Sequence, residues 1–135
     1  MNLPVRHVYE VYIRTTPEKL WDALTDGEQT RKYFFDGILQ TKQLAVGTPM
    51  TYRRADSGEL MTDGEVLEID RPRKLVQTWR AAYVPADKRD GDSRITWEIT
   101  PLGATCKLTV VHEHASADTA TAQGTVRGWS MILSG

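Results

Sequence analysis

Disulfides are the first thing this sequence cannot have. Its 135 residues include one cysteine, Cys106, so no intramolecular bridge can form, which suits a reducing compartment. Long apolar runs are missing too: no stretch approaches about 18 consecutive apolar residues, the length of a membrane-spanning helix. Met1 to Arg6 holds no apolar stretch either, so no secretory signal is expected, and the cytoplasm is the expected location. There is also no surplus of charge of one sign. Lys and Arg number 17 against 18 Asp and Glu, for a net charge of −1, whereas phosphate backbones demand a clustered basic surface. The basic pairs Arg53-Arg54, Arg71 to Lys74 and Lys88-Arg89 are short and mixed with acids. They read as solvated faces, which argues against nucleic acid as a main partner. Repeats, low-complexity tracts and linkers are absent, so one domain over residues 1–135 is expected.

What is present is an ordinary globular balance, 40% hydrophobic and 26% charged, too rich in apolar residues for disorder. His7 to Arg14 (HVYEVYIR) alternates and is rich in β-branched and aromatic residues, so it reads as a first strand. Tyr9, Val11 and Ile13 share one face; Val8, Glu10, Tyr12 and Arg14 share the other. Pro17 suits a first helical position and Thr15 or Thr16 can cap a helix running to about Leu24, with Leu20, Trp21 and Leu24 on its buried side. Asp26 can cap a second short helix carrying Tyr33, Phe34 and Phe35, which Asp36-Gly37 ends.

Extended patterns follow. Thr48 to Arg54 reads as a strand with Met50 and Tyr52 on one face, and Asp56-Ser57-Gly58 turns it into Met61 to Ile69, where Gly64 suggests a bulge. Arg71-Pro72-Arg73 leads into Leu75 to Tyr83, a polar surface loop spans Val84 to Asp92, and Ile95 to Thr100 alternates once more. Pro101-Leu102-Gly103 turns the chain into Thr105 to His112. Ser116 caps a final helix whose apolar stripe is Ala122, Val126, Trp129 and Leu133, with Asp118 near its positive end. The order predicts an α+β fold: an antiparallel sheet of about seven strands, two short helices after the first strand, and a long last helix covering the apolar face of the sheet. A sheet wrapped around one helix cannot fill its concavity with that helix, so a cavity lined by aromatic and aliphatic groups is expected.

Several segments resemble a known family. Thr16-Pro17-Glu18-Lys19-Leu20-Trp21-Asp22-Ala23-Leu24-Thr25 is similar to the first-helix signature of proteins related to the activator of the heat-shock-protein-90 ATPase. These belong to the START and birch-pollen-allergen-like superfamily, SRPBCC. Gly64-Glu65-Val66-Leu67-Glu68-Ile69 followed by Pro72, then Leu75 and Thr78-Trp79, also match. So do Thr96-Trp97-Glu98-Ile99, Leu108-Thr109-Val110-Val111-His112-Glu113 and Gly128-Trp129, so the resemblance covers essentially the whole chain. It implies a helix-grip fold with an internal cavity. The superfamily includes lipid carriers, polyketide cyclases and chaperone regulators, so fold analogy by itself selects no activity.

The candidate ligand-binding residues are Tyr33, Phe34, Met50, Tyr52, Trp79, Trp97, His112, Val126 and Trp129, because aromatic walls offer contact area and polar tips that orient a ligand. A packed core is the plainer alternative for each of them. His112 and His114 share a strand face, and an H-x-H pair can supply two metal ligands, but only His7 remains as a third, so no metal and no cofactor are expected. His112 would follow Leu108 and Val110 onto the concave face, with His114 as an exposed residue after the strand. A histidine there could serve as a general acid or base, with Asp63 or Glu65 as a polar partner, though solvent-facing acids are the plainer reading. Arg54 and Arg80 could reach a ligand carboxylate if turned inward. Cys106 shares the parity of Leu108 and Val110, which favours a buried, inert thiol.

Three functions therefore stand open. The leading one is noncatalytic binding of a small hydrophobic molecule. The second, which the resemblance implies, is a chaperone-associated interaction module; the third is a cyclase- or hydrolase-like enzyme using His112. A homodimer stays open as well.

Overall fold

The computed structural model describes residues 5–30, 32, 37–40, 44–81 and 93–114. The chain opens with β1 (Val5–Ile13), followed by helices α1 (Pro17–Thr25) and α2 (Gly27–Thr30). Seven more strands follow: β2 (Gly37–Gln40), β3 (Thr51–Arg54), β4 (Leu60–Asp63), β5 (Val66–Asp70), β6 (Lys74–Ala81), β7 (Ser93–Leu102) and β8 (Thr105–His114). All pair antiparallel in one eight-stranded sheet, ordered β1-β8-β7-β6-β4-β3-β2 with β5 also on β6. The fold is α+β and consistent with a helix grip. The expected final helix, including Val126 and Trp129, lies outside the described residues, as does the loop from Val84 to Asp92.

Local chemistry explains the helices. Thr16 sits in extended backbone and its Oγ1 accepts the Lys19 N–H at 3.2 Å, while Pro17 fills the first helical position, where no N–H partner is needed. Thr16→Ala should therefore cost about 1 kcal/mol, readable as a lowered urea midpoint with an unchanged slope. Leu20, Trp21 and Leu24 form the buried side of α1 and join the core of the sheet. Asp26 starts α2, its Oδ1 accepting the Glu28 N–H at 3.0 Å. That helix is described over Gly27–Thr30, and Tyr33, Phe34 and Phe35, which the sequence reading places on it, lie outside the described residues. At its end the buried Thr30 Oγ1 accepts the Leu39 N–H at 3.0 Å and lies 3.0 Å from the Gly37 carbonyl oxygen. The hydroxyl thus ties α2 to β2, a strand that sequence pattern leaves unread.

Period-two alternation decides which side chains enter the core. The face that meets α1 carries Tyr9, Val11 and Ile13 from β1; Ile95, Trp97 and Ile99 from β7; and Cys106, Leu108 and Val110 from β8. Register stacks them in rows, such as Tyr9–Val110–Trp97–Leu75 and Val11–Leu108–Ile99. The turn between β7 and β8 is tight, and Gly103 takes φ +66°, a conformation costly for a residue with a Cβ.

Gly64 separates β4 from β5, but the register against β6 does not slip there. It slips between Val66 and Glu68. What fixes the glycine is proximity: a Cβ at position 64 would stand 1.9 Å from the Thr78 carbonyl oxygen. A second slip, between Tyr52 and Arg53 in the pairing of β3 with β4, falls in the same half of the sheet. Irregularities of this kind bend strands.

Candidate functional site

The inner face of the sheet divides into two chemically different halves. Toward α1 it is aliphatic and aromatic, with Leu20, Trp21 and Leu24 against Ile99, Leu108 and their neighbours. Toward the end of β8 and the start of β7 it turns polar, although it stays buried. Thr62, Gln77, Ser93, His112 and His114 are all at most 2% exposed, and Tyr52, Trp79 and Trp97 at most 4%.

Strand parity places each of these groups. Gln77 lies between Leu75 and Trp79 at the same parity on β6, and Ser93 is two residues before Ile95 on β7. Ser93 stands directly across from Trp79, and one row further along His112, Ile95 and Gln77 align. The Ser93 hydroxyl donates to the Trp79 carbonyl oxygen at 2.9 Å, which spends its one proton. The 2.7 Å contact between Ser93 Oγ and His112 Nε2 must then run the other way, with the Nε2–H donating to the hydroxyl oxygen. A second chain starts from Trp97, whose indole N–H donates to Gln77 Oε1 at 2.8 Å. Burial pushes the Tyr52 phenol above its ordinary value, and a side-chain hydrogen bond with Gln77 partly offsets this.

Aromatic contacts join the two chains. Tyr52 and Trp79 lie with ring centroids 5.4 Å apart, and the Trp79 and His112 rings meet edge to face at 6.2 Å. His114 is 4.0 Å from His112, and His7, directly opposite His112 on β1, stands 5.6 Å from His114 in a T-shaped contact. His114 is thus fully buried and not exposed, contrary to the sequence expectation. The reason is pairing: β8 continues two residues past His112, because Val5 partners His114.

Burial is the main influence on the titration of His112, and the neighbouring His114 and His7 add to it. Together they hold its pKa well below the ordinary 6.5, so the ring is neutral at neutral pH. The Ser93–His112 pair consequently has the wrong polarity for a nucleophile and its base, since the histidine donates where a base would accept. Among the described residues, no group of three or more His, Cys, Asp or Glu side chains is arranged to hold a metal ion.

The other candidates sort clearly. Met50, Tyr52, Trp79, Trp97 and His112 are buried on the inner side, the last four by strand parity. Tyr33, Phe34, Val126 and Trp129 lie outside the described residues. Arg54 and Arg80 turn outward to ion pairs with Asp56 at 3.1 Å and Asp63 at 3.8 Å, and so cannot serve the inner face. Glu65 is exposed. Cys106 is fully buried, and burial raises its thiol pKa, as expected of an inert core cysteine. Sequence reasoning missed Gln77 and Ser93. The signal was available in their parity with Leu75, Trp79 and Ile95.

The antiparallel sheet and the two short helices define an α+β protein whose described part is consistent with a helix grip. Residues 14–135 match the family described as Activator of Hsp90 ATPase homolog 1-like protein, and the chain belongs to that family. A search of curated protein sequences finds no match. Solved structures share the fold. A Mesorhizobium loti protein superposes with a TM-score of 0.77 at 26% identity, covering 96% of this chain and 92% of its own. An HSP90 activator from Plasmodium falciparum gives 0.74 at 21%, covering 95% and 89%. The Aha1 dimer of Colwellia psychrerythraea gives 0.71 at 18%, covering 96% and 90%.

Proposed function

We propose that this chain binds a small, mostly apolar molecule bearing one polar group, held against the inner face of the sheet. The observation that carries the reading is the buried polar end of an otherwise apolar face. Burying Tyr52, Gln77, Ser93 and His112 costs desolvation that aliphatic side chains at the same positions would avoid. Their hydrogen bonds recover part of that cost, and a ligand able to use the same groups gives them a purpose. Met50, Tyr52, Trp79, Trp97 and His112 form the described side of this proposed site. Tyr33, Phe34, Val126 and Trp129 complete it on the sequence reading, with the last two on a C-terminal helix that closes the face.

A thermal-unfolding screen against fatty acids, sterols, flavonoids and polyketide-like aromatics tests this. A ligand at a hundred times its dissociation constant adds about 2.7 kcal/mol of stability, a shift of roughly 5 to 15 °C for a domain of this size. Hits are expected among molecules with an apolar body and a single polar end. A flat response from well-folded protein would count against the reading.

Family membership favours a second reading, a chaperone-associated module. Its support is the family description and the HSP90-activating relative. Stimulation of the Hsp90 ATPase by the purified chain would establish it, and no stimulation and no co-purification would remove it. Enzymatic use of His112 has less behind it, because the ring is fully buried and its Nε2 is engaged with Ser93.

A further inference from the structure

The sheet ends in β2 at one side and in β1 at the other. At the first, β2 is described over Gly37–Gln40. At the second, β1 has nine residues, contains no proline, and pairs with β8 through nine successive partners without a register slip. Among the described residues β8 is the only strand that β1 meets. Exposed edges are normally shortened, bulged or interrupted by proline, because an open row of backbone donors and acceptors templates further pairing. β1 has none of these protections. It also places apolar groups outward: Val8 is 52% exposed and Tyr12 62%.

We infer that β1 is a self-association edge, and that two copies of this chain pair antiparallel through it about a two-fold axis at Val8. Charge selects the register. If the outer faces of both copies stay on one side of a continuous sheet, the axis must pass through a residue, and residue i of one copy then meets its mirror position in the other. Centred on Val8, Arg6 faces Glu10 twice, Val8 faces Val8, and all of Val5 to Val11 is paired. Centred on Tyr9 the axis brings no opposite charges together, and centred on Glu10 it sets glutamate against glutamate and Arg6 against Arg14. An axis at Tyr12 would match Glu10 with Arg14, but it would engage only the last residues of the strand and drive Val8 against Thr16, the cap of α1. Opposite charges across a strand pair stabilise it and like charges oppose it, so the Val8 axis is the one the side chains support.

Sedimentation equilibrium of the full chain, with circular dichroism to verify folding, tests the inference. Wild type is expected to dimerise reversibly. Glu10→Arg is the cleaner single change, because its partner on β8 is Thr109, whereas Arg6 lies across from Glu113. It should weaken the dimer about tenfold or more, since two attractive pairs become repulsive. Mixing Glu10→Arg chains with Arg6→Glu chains should restore association, as every charged position then meets its opposite. The double variant Arg6→Glu/Glu10→Arg should dimerise like wild type. A wild type that stays monomeric at submillimolar concentration would overturn the inference. So would a dimer indifferent to Glu10→Arg, or folded single variants whose mixture shows no recovery.

Discussion

Gly64→Ala is expected to be among the most damaging single-methyl changes this protein can receive. The added Cβ would lie 1.9 Å from the Thr78 carbonyl oxygen and 2.7 Å from the Thr78 carbonyl carbon, both of them backbone atoms that no rotamer change can move aside. Thr78 is also pinned from two directions. Its N–H donates to the Glu65 carbonyl oxygen at 3.0 Å, and its Oγ1 accepts the Glu65 N–H at 2.9 Å. Relief requires prising β6 from the β4–β5 junction. A cost of about 3 kcal/mol or more is expected, at the upper end of what overpacking produces. The melting temperature should drop by roughly 10 °C or more. Gly103→Ala provides the comparison. It has the strained φ of +66° but nothing within 4 Å, so it should cost only about 1–2 kcal/mol. Urea denaturation of both variants checks the ordering, and a Gly64→Ala protein as stable as Gly103→Ala would mean the close approach to Thr78 can relax freely.

That glycine also shows where sequence reading reaches its limit. Alternation identifies the inward side chains of β1, β7 and β8 correctly, because a strand buried on one face repeats every two residues and nothing non-local can change that. Gly64 is recognisable as an irregular position, yet the slip lies at Val66 to Glu68, since slippage depends on what β6 offers as partner. β2 is harder still. Asp36-Gly37 reads as a turn, and Ile38-Leu39 is too short a pattern to stand alone. Its strand character comes from pairing with β3 and from the Thr30 hydroxyl, both contacts between residues distant in sequence.

The same distinction applies to the site. Tyr52, Trp79, Trp97 and His112 are legible because large rings at inward parity belong in a core or a cavity. Gln77 and Ser93 are legible only through their neighbours, because polar residues within strands are ordinarily solvent-facing and their own identity does not reveal the parity. His114 fails for another reason: the end of a strand is set by its partner, and Val5 extends β8 beyond the point where its own pattern fades. Reading the histidines as an H-x-H pair correctly put both on one face. Their burial, and the arrival of His7 beside them, depend on the pairing of the first and last described strands.

Acid should destabilise this protein through His112 before its carboxylates contribute much. In the folded chain burial, followed by His114 and His7, holds the His112 pKa well below 6.5, whereas the unfolded chain restores a value near 6.5. Below pH 6.5 the unfolded state therefore binds a proton that the folded state refuses, and stability falls as pH falls. Above pH 6.5 neither state binds that proton, and the contribution of His112 is fully present and level. The fall continues down to the depressed folded-state pKa, with a limiting slope of about 1.4 kcal/mol per pH unit for this one group. His112→Gln isolates the effect, because an amide N–H can still donate to Ser93 Oγ while nothing titrates. Unfolding free energies measured from pH 7.5 to 5 should decline for wild type and lose most of that slope in the variant. Equal slopes would assign the acid sensitivity to other groups and would require His112 to accept its proton inside the fold. That would in turn revive the acid–base role which its donation to Ser93 argues against. The same titration bears on the ligand reading, because a molecule occupying the polar end would stand beside a ring whose neutrality depends on burial. A bound acid should raise the pKa of His112 and make the decline level off at a higher pH, whereas a neutral ligand should leave that lower end where it is.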